Sequence, residues 1–256
     1  MSTHHNPHVE FGMYPFDSVA WAWDELWAAV HERVPWSPDQ LTRSGDVHAR
    51  WYDAECVITQ VCGGPFAVLH RNDMHLVGAF SLDIPEADAG HYHSVLVSPH
   101  ERSLDELSTD TTHAVANSAD SLSGWFSLIG ATVGPGNPWP GPVTFTSAHY
   151  DSLSALAAGQ ADIASIDAWS LALIGAEQPD LVADLHRVAL GPRIPTPPVT
   201  ARRNLAPEQV DELRRAFGDA ISDPATASAR AALHIRGFVD NSLDDYLAIL
   251  PLLATN

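Results

Sequence analysis

Along the chain, short apolar runs alternate with stretches whose apolar residues recur every three to four positions. This alternation of strand and helix signals predicts an α/β architecture with largely parallel sheets. Residues 9–14 read as a first strand, stopped by Pro15. Asp17 or Ser18 then caps a helix in which Val19, Trp23, Leu26, Trp27 and Val30 share one face. That spacing assigns the tryptophans to the core rather than to a ligand. Further strands are expected over 57–62, 67–70, 75–80, 92–97, 113–117, 143–147 and 162–166, and helices over 103–107, 121–133, 150–158 and 168–176. The acidic stretch 81–90 reads as turn. Residues 134–142 are too rich in Gly and Pro for regular structure and are expected as a surface excursion. From 187 to 200, Pro192, Pro195, Pro197 and Pro198 impose extended chain and mark a hinge or linker. Helical segments follow over 207–221, 224–233 and 242–250.

Composition narrows what such a chain can do. The formal charge is −19, and every one of the 13 basic residues in the Lys+Arg count is an arginine. An acidic chain of this kind lacks the basic stripe that nucleic acid requires. Without lysine there is neither a pyridoxal-phosphate Schiff base nor a P-loop ammonium, and no cofactor is expected. The first ten residues carry no cationic flank followed by an apolar run, and no apolar stretch reaches the roughly 20 residues of a bilayer span. The chain therefore reads as cytoplasmic, or as periplasmic if a leader has been removed. Cys56 and Cys62 fall on one strand, roughly 20 Å apart when extended, and are expected as free thiols.

The chemistry concentrates in three places. Ser121-Leu122-Ser123-Gly124 opens a predicted helix directly after a strand, where free backbone N–H groups and the positive dipole end bind oxyanions without Lys or Arg. Ser121 equally fits a plain helix cap. His149 stands at the carboxyl end of a strand, where open α/β sheets bind ligands, and can complete an anion's shell. Asp167 also follows a strand. It either accepts a hydrogen bond from an ammonium or a protonated oxygen of the ligand or caps its own helix. Tyr14, at the end of the first strand, and Tyr92 with Ser94 are candidates to line a cleft. Gly63-Gly64-Pro65 after a strand permits close backbone approach and equally describes a tight turn.

Five segments in order carry a resemblance to a known family: 59–65 (Thr-Gln-Val-Cys-Gly-Gly-Pro), 90–95 (Gly-His-Tyr-His-Ser-Val), 117–125 (Asn-Ser-Ala-Asp-Ser-Leu-Ser-Gly-Trp), 147–152 (Ser-Ala-His-Tyr-Asp-Ser) and 159–167 (Gly-Gln-Ala-Asp-Ile-Ala-Ser-Ile-Asp). Together they resemble the phosphonate- and phosphate-type substrate-binding components of ABC transporters, the PhnD-like family. The resemblance implies a two-lobed periplasmic-binding-protein type II fold, each lobe a sheet flanked by helices, with a two-strand hinge. Residues 1–90 and 193–256 would form one lobe and 91–192 the other. The implied function is a solute-binding protein, not an enzyme, closing over phosphonate, phosphate, phosphite or a related organic anion. It would act as a monomer that serves an ABC permease or as a cytosolic ligand sensor. The implied ligand set is Tyr14, Tyr92, Ser94, Ser121, Leu122, Ser123, Gly124, His149 and Asp167. Leu122 departs from the family's Ser-Thr-Ser-Gly loop and removes one hydroxyl.

Two other classes find partial support in the sequence. Ser123, His149 and an aspartate invite a hydrolytic triad, but the nucleophile elbow G-x-S-x-G is absent and no base is evidently paired with a serine. Metal binding is conceivable at His4, His5 and His8, or at His91 and His93, which share a strand face. No metal is expected at the site itself.

Overall fold

The computed structural model describes residues 7–43 and 45–254. Its strands in chain order are β1 (His8–Glu10), β2 (Cys56–Gln60), β3 (Met74–Leu82), β4 (Ala87–Asp88), β5 (His91–Ser98), β6 (Ala114–Ala116), β7 (Val143–Phe145), β8 (Ile163–Ile166), β9 (His186–Pro195), β10 (Pro198–Arg202) and β11 (Ile235–Val239). The chain forms two compact units. One contains residues up to Asp83 together with Pro195–Asp245, the other Ile84–Ile194 together with residues from Tyr246 on.

In the first unit the strand order is β1-β2-β10-β3-β11; β1 and β2 are parallel and the remaining pairs antiparallel. The helix Ala20–Arg33 buries Trp23, Leu26, Trp27 and Val30, the face anticipated from their spacing. The helix Pro207–Ser222 starts with proline at its first position, where no intrahelical donor is lost, and buries Val210, Leu213, Phe217 and Ala220. Aromatic rings join these elements. Phe11 stacks on Trp23 at 5.5 Å and meets Phe217 edge-on at 6.1 Å, and Phe217 stacks on Phe238 at 4.9 Å. Each such ring contributes about 1.5–3 kcal/mol by leaving water.

A carboxyl is buried at the end of β1. Glu10 accepts the Thr59 hydroxyl at 3.2 Å, and a Cβ on Gly12 would lie 1.7 Å from its Oε1, so any larger residue there would displace the carboxyl. Burial raises its pKa to about 7, against the lowering effects of Thr59, Arg50 and the Gly12 amide. Nearby, burial pushes the Cys56 thiol up to about 12; neither Cys56 nor Cys62 is in a disulfide.

In the second unit the order is β4-β5-β8-β6-β7, with β9 also paired to β5. Strand β6 is parallel to both β7 and β8, whereas β5 is antiparallel to β4 and β8. Its core is mainly aliphatic: Leu96, Leu107, Leu128, Ile129 and Ile163, closed by Trp139.

Several expectations are corrected. The sheets are mixed rather than largely parallel. Residues 67–70 are helical, part of a π turn over Phe66–His70; a four-residue apolar run does not distinguish strand from helix. Residues 103–107 form turns only. The proline-rich 187–200 contributes two strands, β9 and β10, because proline is tolerated at strand ends and edges. Strand β11 went unseen. The 134–142 loop is no mere surface excursion: Trp139 is buried and donates to the Thr112 carbonyl at 3.1 Å. The division of 193–256 into a single lobe also fails at its end. The chain passes between units at 83/84, 194/195 and 245/246, three times rather than two, and the tail packs in the second unit, where Leu252 lies by Gly130.

Candidate functional site

The parallel strands β8, β6 and β7 are neighbours in that order, so their carboxyl ends lie along one edge. Each leads into a helical turn. After β6, Ser121 holds extended backbone, and its Oγ accepts the Gly124 N–H at 3.0 Å. The Phe126 amide reaches back five residues to the Ser121 carbonyl, so the helix opens as a π turn, Leu122–Phe126, before continuing as the α-helix Ser127–Ala131. Such turns recur at functional sites. The amides that open a helix lack intrahelical acceptors and are available to an anion. The side chains of Ser121, Ser123 and Leu122 are buried. Gly124 leaves room for its neighbours: a Cβ there would lie 2.0 Å from Asn117 Oδ1 and 3.0 Å from Ser121 Oγ, and those side chains would have to shift.

After β7 the chain turns through Ser147, whose φ of 81° is left-handed and unusual for a residue other than glycine. Its N–H donates to the Asn117 carbonyl at 2.9 Å, which fixes the turn to the end of β6. The helix His149–Ala157 follows at once, and His149 Nε2 lies 3.1 Å from Ser123 Oγ. The ring is half-buried, but its Nδ1 is inaccessible and has no hydrogen-bond partner. Burial pushes the imidazole pKa down, opposed by the Asp167 carboxylate, and favours the neutral ring.

After β8, Asp167 accepts the Ser170 N–H at 2.7 Å through Oδ1 and the Tyr92 hydroxyl at 2.5 Å through Oδ2. It therefore caps the helix Ala168–Glu177, and its charge is felt at His149. Ser165 Oγ donates to the Ser123 carbonyl at 2.7 Å and ties β8 to the serine turn.

The structure thus gathers Ser121, Ser123, Gly124 and His149, with the Tyr92–Asp167 pair within electrostatic reach. Ser94 is fully buried, 3.4 Å from Ser127 Oγ, in a packing position. Leu122 is buried. Tyr14 belongs to the first unit, where it is buried and lines a small cavity with Phe11, Phe16 and Trp23. Three residues escaped the sequence reading: Asn117, Ser147 and Ser165. Asn117 sits directly after β6, but only the fold brings it against Gly124 and Ser147.

The expectation that no serine is paired with a base is corrected by the Ser123–His149 contact. No triad results, because among the described residues nothing accepts from or donates to His149 Nδ1. Of the histidines weighed for metal, His4 and His5 lie outside the described residues. His8 faces Arg50 and Asp53. The ring of His91 contacts the Ala89 carbonyl, and that of His93 the Gly191 carbonyl.

Two α/β units, each a mixed sheet flanked by helices, match the type II periplasmic-binding-protein fold of similar solved structures. More particularly, the profile of the family described as ABC transporter, phosphonate, periplasmic substrate-binding protein matches residues 58–246, and the chain belongs to that family. Among solved structures, PhnD1 of Prochlorococcus marinus in complex with methylphosphonate is 12% identical, with a TM-score of 0.76 over 96% of this chain and 97% of its own. A binding-protein component of an ABC phosphonate transporter from Pseudomonas aeruginosa is 17% identical, with a TM-score of 0.73 over 96% of this chain and 85% of its own. XAC2383 from Xanthomonas citri, bound to chloride ion, is 14% identical, with a TM-score of 0.70 over 96% and 98%. No curated protein sequence matches. The family consists of transport binding proteins, and the hydrolase reading is not favoured. Among the described residues, no helix is long and apolar enough to cross a membrane.

Proposed function

We propose that the chain binds a small oxyanion of the phosphonate, phosphate or phosphite type at the Ser121–Gly124 turn, as the extracytoplasmic binding component of an importer whose permease is its partner. The observation that carries this reading is the convergence of the π-turn opening, Ser123 Oγ and His149 Nε2 at the ends of three adjacent parallel strands. Family membership supports it, as does the methylphosphonate held by a protein of the same fold. A neutral imidazole and hydroxyls act as preorganised donors, and bonds from them to an anion are charge-assisted. The Tyr92–Asp167 pair borders the site and holds the carboxylate to its capping role. The two compact units stand for the two lobes of the fold.

The test is calorimetric titration with methylphosphonate, phosphite, phosphate and sulfate, alongside thermal shift. At least one anion is expected to bind and raise the melting temperature. Ser121→Ala and His149→Ala should each weaken that binding by more than about 1 kcal/mol. Unchanged affinity in both variants, or no binding at all, removes the assignment.

A further inference from the structure

The side chain of Asn117 is the polar group of this region that the reading above leaves unused. Its Oδ1 is inaccessible to solvent and has no hydrogen-bond partner. It lies over the Gly124 Cα and shares that narrow space with Ser121 Oγ, since a Cβ on Gly124 would be 2.0 Å from one and 3.0 Å from the other. Its backbone carbonyl meanwhile holds the Ser147 N–H at 2.9 Å, on the approach to His149. One residue therefore touches both turns that supply the anion's donors.

A carbonyl oxygen enclosed without a donor is costly, and the cost is removed only by a group that brings a hydrogen. The cluster does not bring one. No hydroxyl of the cluster is bonded to it: Ser121 Oγ accepts from Gly124 and forms no hydrogen bond to Oδ1, Ser118 donates to the Asp120 carboxylate at 2.6 Å, and Ser165 donates to the Ser123 carbonyl. Of the three arginines of this unit, Arg187 and Arg193 are paired with Glu86 and Asp88, and Arg102 lies beside Glu106. The ionisable groups around the turn are His149, Asp167 and Asp120, so an oxygen lone pair and two carboxylates stand near a place built for an anion.

We propose that Asn117 is a specificity-determining residue whose side-chain oxygen accepts a hydrogen bond from the ligand, so that the site takes an oxyanion still carrying a proton. A singly protonated phosphonate or phosphate satisfies Oδ1 while its remaining oxygens take the amides and hydroxyls of the turn. A fully deprotonated dianion or a sulfonate sets oxygen against oxygen and is disfavoured. This inference rests on the anion-binding reading given above.

The experiment is titration calorimetry of the full chain with methylphosphonate and with methanesulfonate, from below to above the second ionisation of methylphosphonate. Methanesulfonate carries no proton in that range, so its profile reports the titration of the protein, His149 included. The wild type is expected to bind methylphosphonate at least tenfold more tightly below that ionisation than above it, beyond any change seen with methanesulfonate. Asn117→Ala should lower the affinity for the protonated ligand several-fold and erase this excess pH dependence. Asn117→Asp, which keeps an acceptor and adds charge, should retain or steepen it. A thermal melt confirms that each variant is folded. The proposal is overturned if the excess pH dependence is missing in the wild type or survives unchanged in Asn117→Ala. Failure of both ligands at every pH defeats the anion-binding reading itself, whereas binding without the excess defeats only the role of Asn117.

Discussion

In the first unit, β2 runs through Cys62 into the helical stretch Gly63–Pro65, followed by the π turn Phe66–His70; in the second, β6 leads to Ser121, the π turn Leu122–Phe126 and the helix Ser127–Ala131. The backbone device is nearly the same, and the chemistry differs. Cys62 caps nothing with its side chain, and the residues behind it are two buried glycines and a proline. Ser121 caps the Gly124 amide, Ser123 meets His149, and Asn117 packs over the glycine. A strand-to-helix turn is thus a frame, and the side chains at its opening decide whether the frame holds an anion. The interiors differ in the same spirit. The first unit is knit by Phe11, Trp23, Phe80, Phe217 and Phe238, the second by leucines and isoleucines.

The largest effect is expected from the buried carboxyl of the first unit. Glu10 titrates near 7 when folded, against an ordinary value of 4.5. Below about pH 4.5 both folded and unfolded chains hold the proton and stability is complete. As pH rises toward 7 the unfolded chain loses it first, and stability falls. Glu10→Gln should therefore leave the urea midpoint at pH 4 little changed and raise stability at pH 8 by up to about 3 kcal/mol. Parallel pH profiles in variant and wild type would show that the carboxyl carries no such penalty.

Next in size is Gly124→Ala, which asks whether the polar frame of the second unit tolerates a methyl group. With Asn117 Oδ1 2.0 Å from the new Cβ, the Asn117 side chain or the turn must shift, at an expected cost of about 1–3 kcal/mol in folding and a loss of anion affinity. Adding Asn117→Ala removes that clash and should recover part of the stability. A double variant no better than Gly124→Ala alone would count against this packing. Smallest is Ser147→Gly: a glycine adopts the φ of 81° without strain, and the melt should rise by the equivalent of about 0.5 kcal/mol. A fall would mean that the serine side chain contributes more than its backbone strain costs.

Much of the frame was legible in the chain itself. The helix face of Trp23, Leu26, Trp27 and Val30 and the helices over 150–158, 168–176 and 207–221 followed from period and breakers, because burial of one face demands that spacing. The serine turn was visible because hydroxyls and glycine follow a strand. What misled were short or ambiguous signals. The run 67–70 had the apolar content of a strand but follows a glycine pair and proline that open a helix. The prolines of 187–200 looked like a linker, yet β9 carries Pro192 within its length, paired through β5. Trp139 was lost among breakers, although its indole reaches the Thr112 carbonyl and closes a core.

Composition and periodicity alone determined that this acidic, lysine-free chain is an α/β protein with a serine- and glycine-bearing turn between a strand and a helix, because those properties belong to residue types and their local spacing. Only the tertiary structure decided that Ser123 and His149 meet and that Asp167 is engaged by Tyr92. Those pairings cross from one strand end to the next, over 26 residues for Ser123 and His149 and 75 for Tyr92 and Asp167. Which strands become neighbours is fixed by packing of the whole sheet, and no local pattern encodes it.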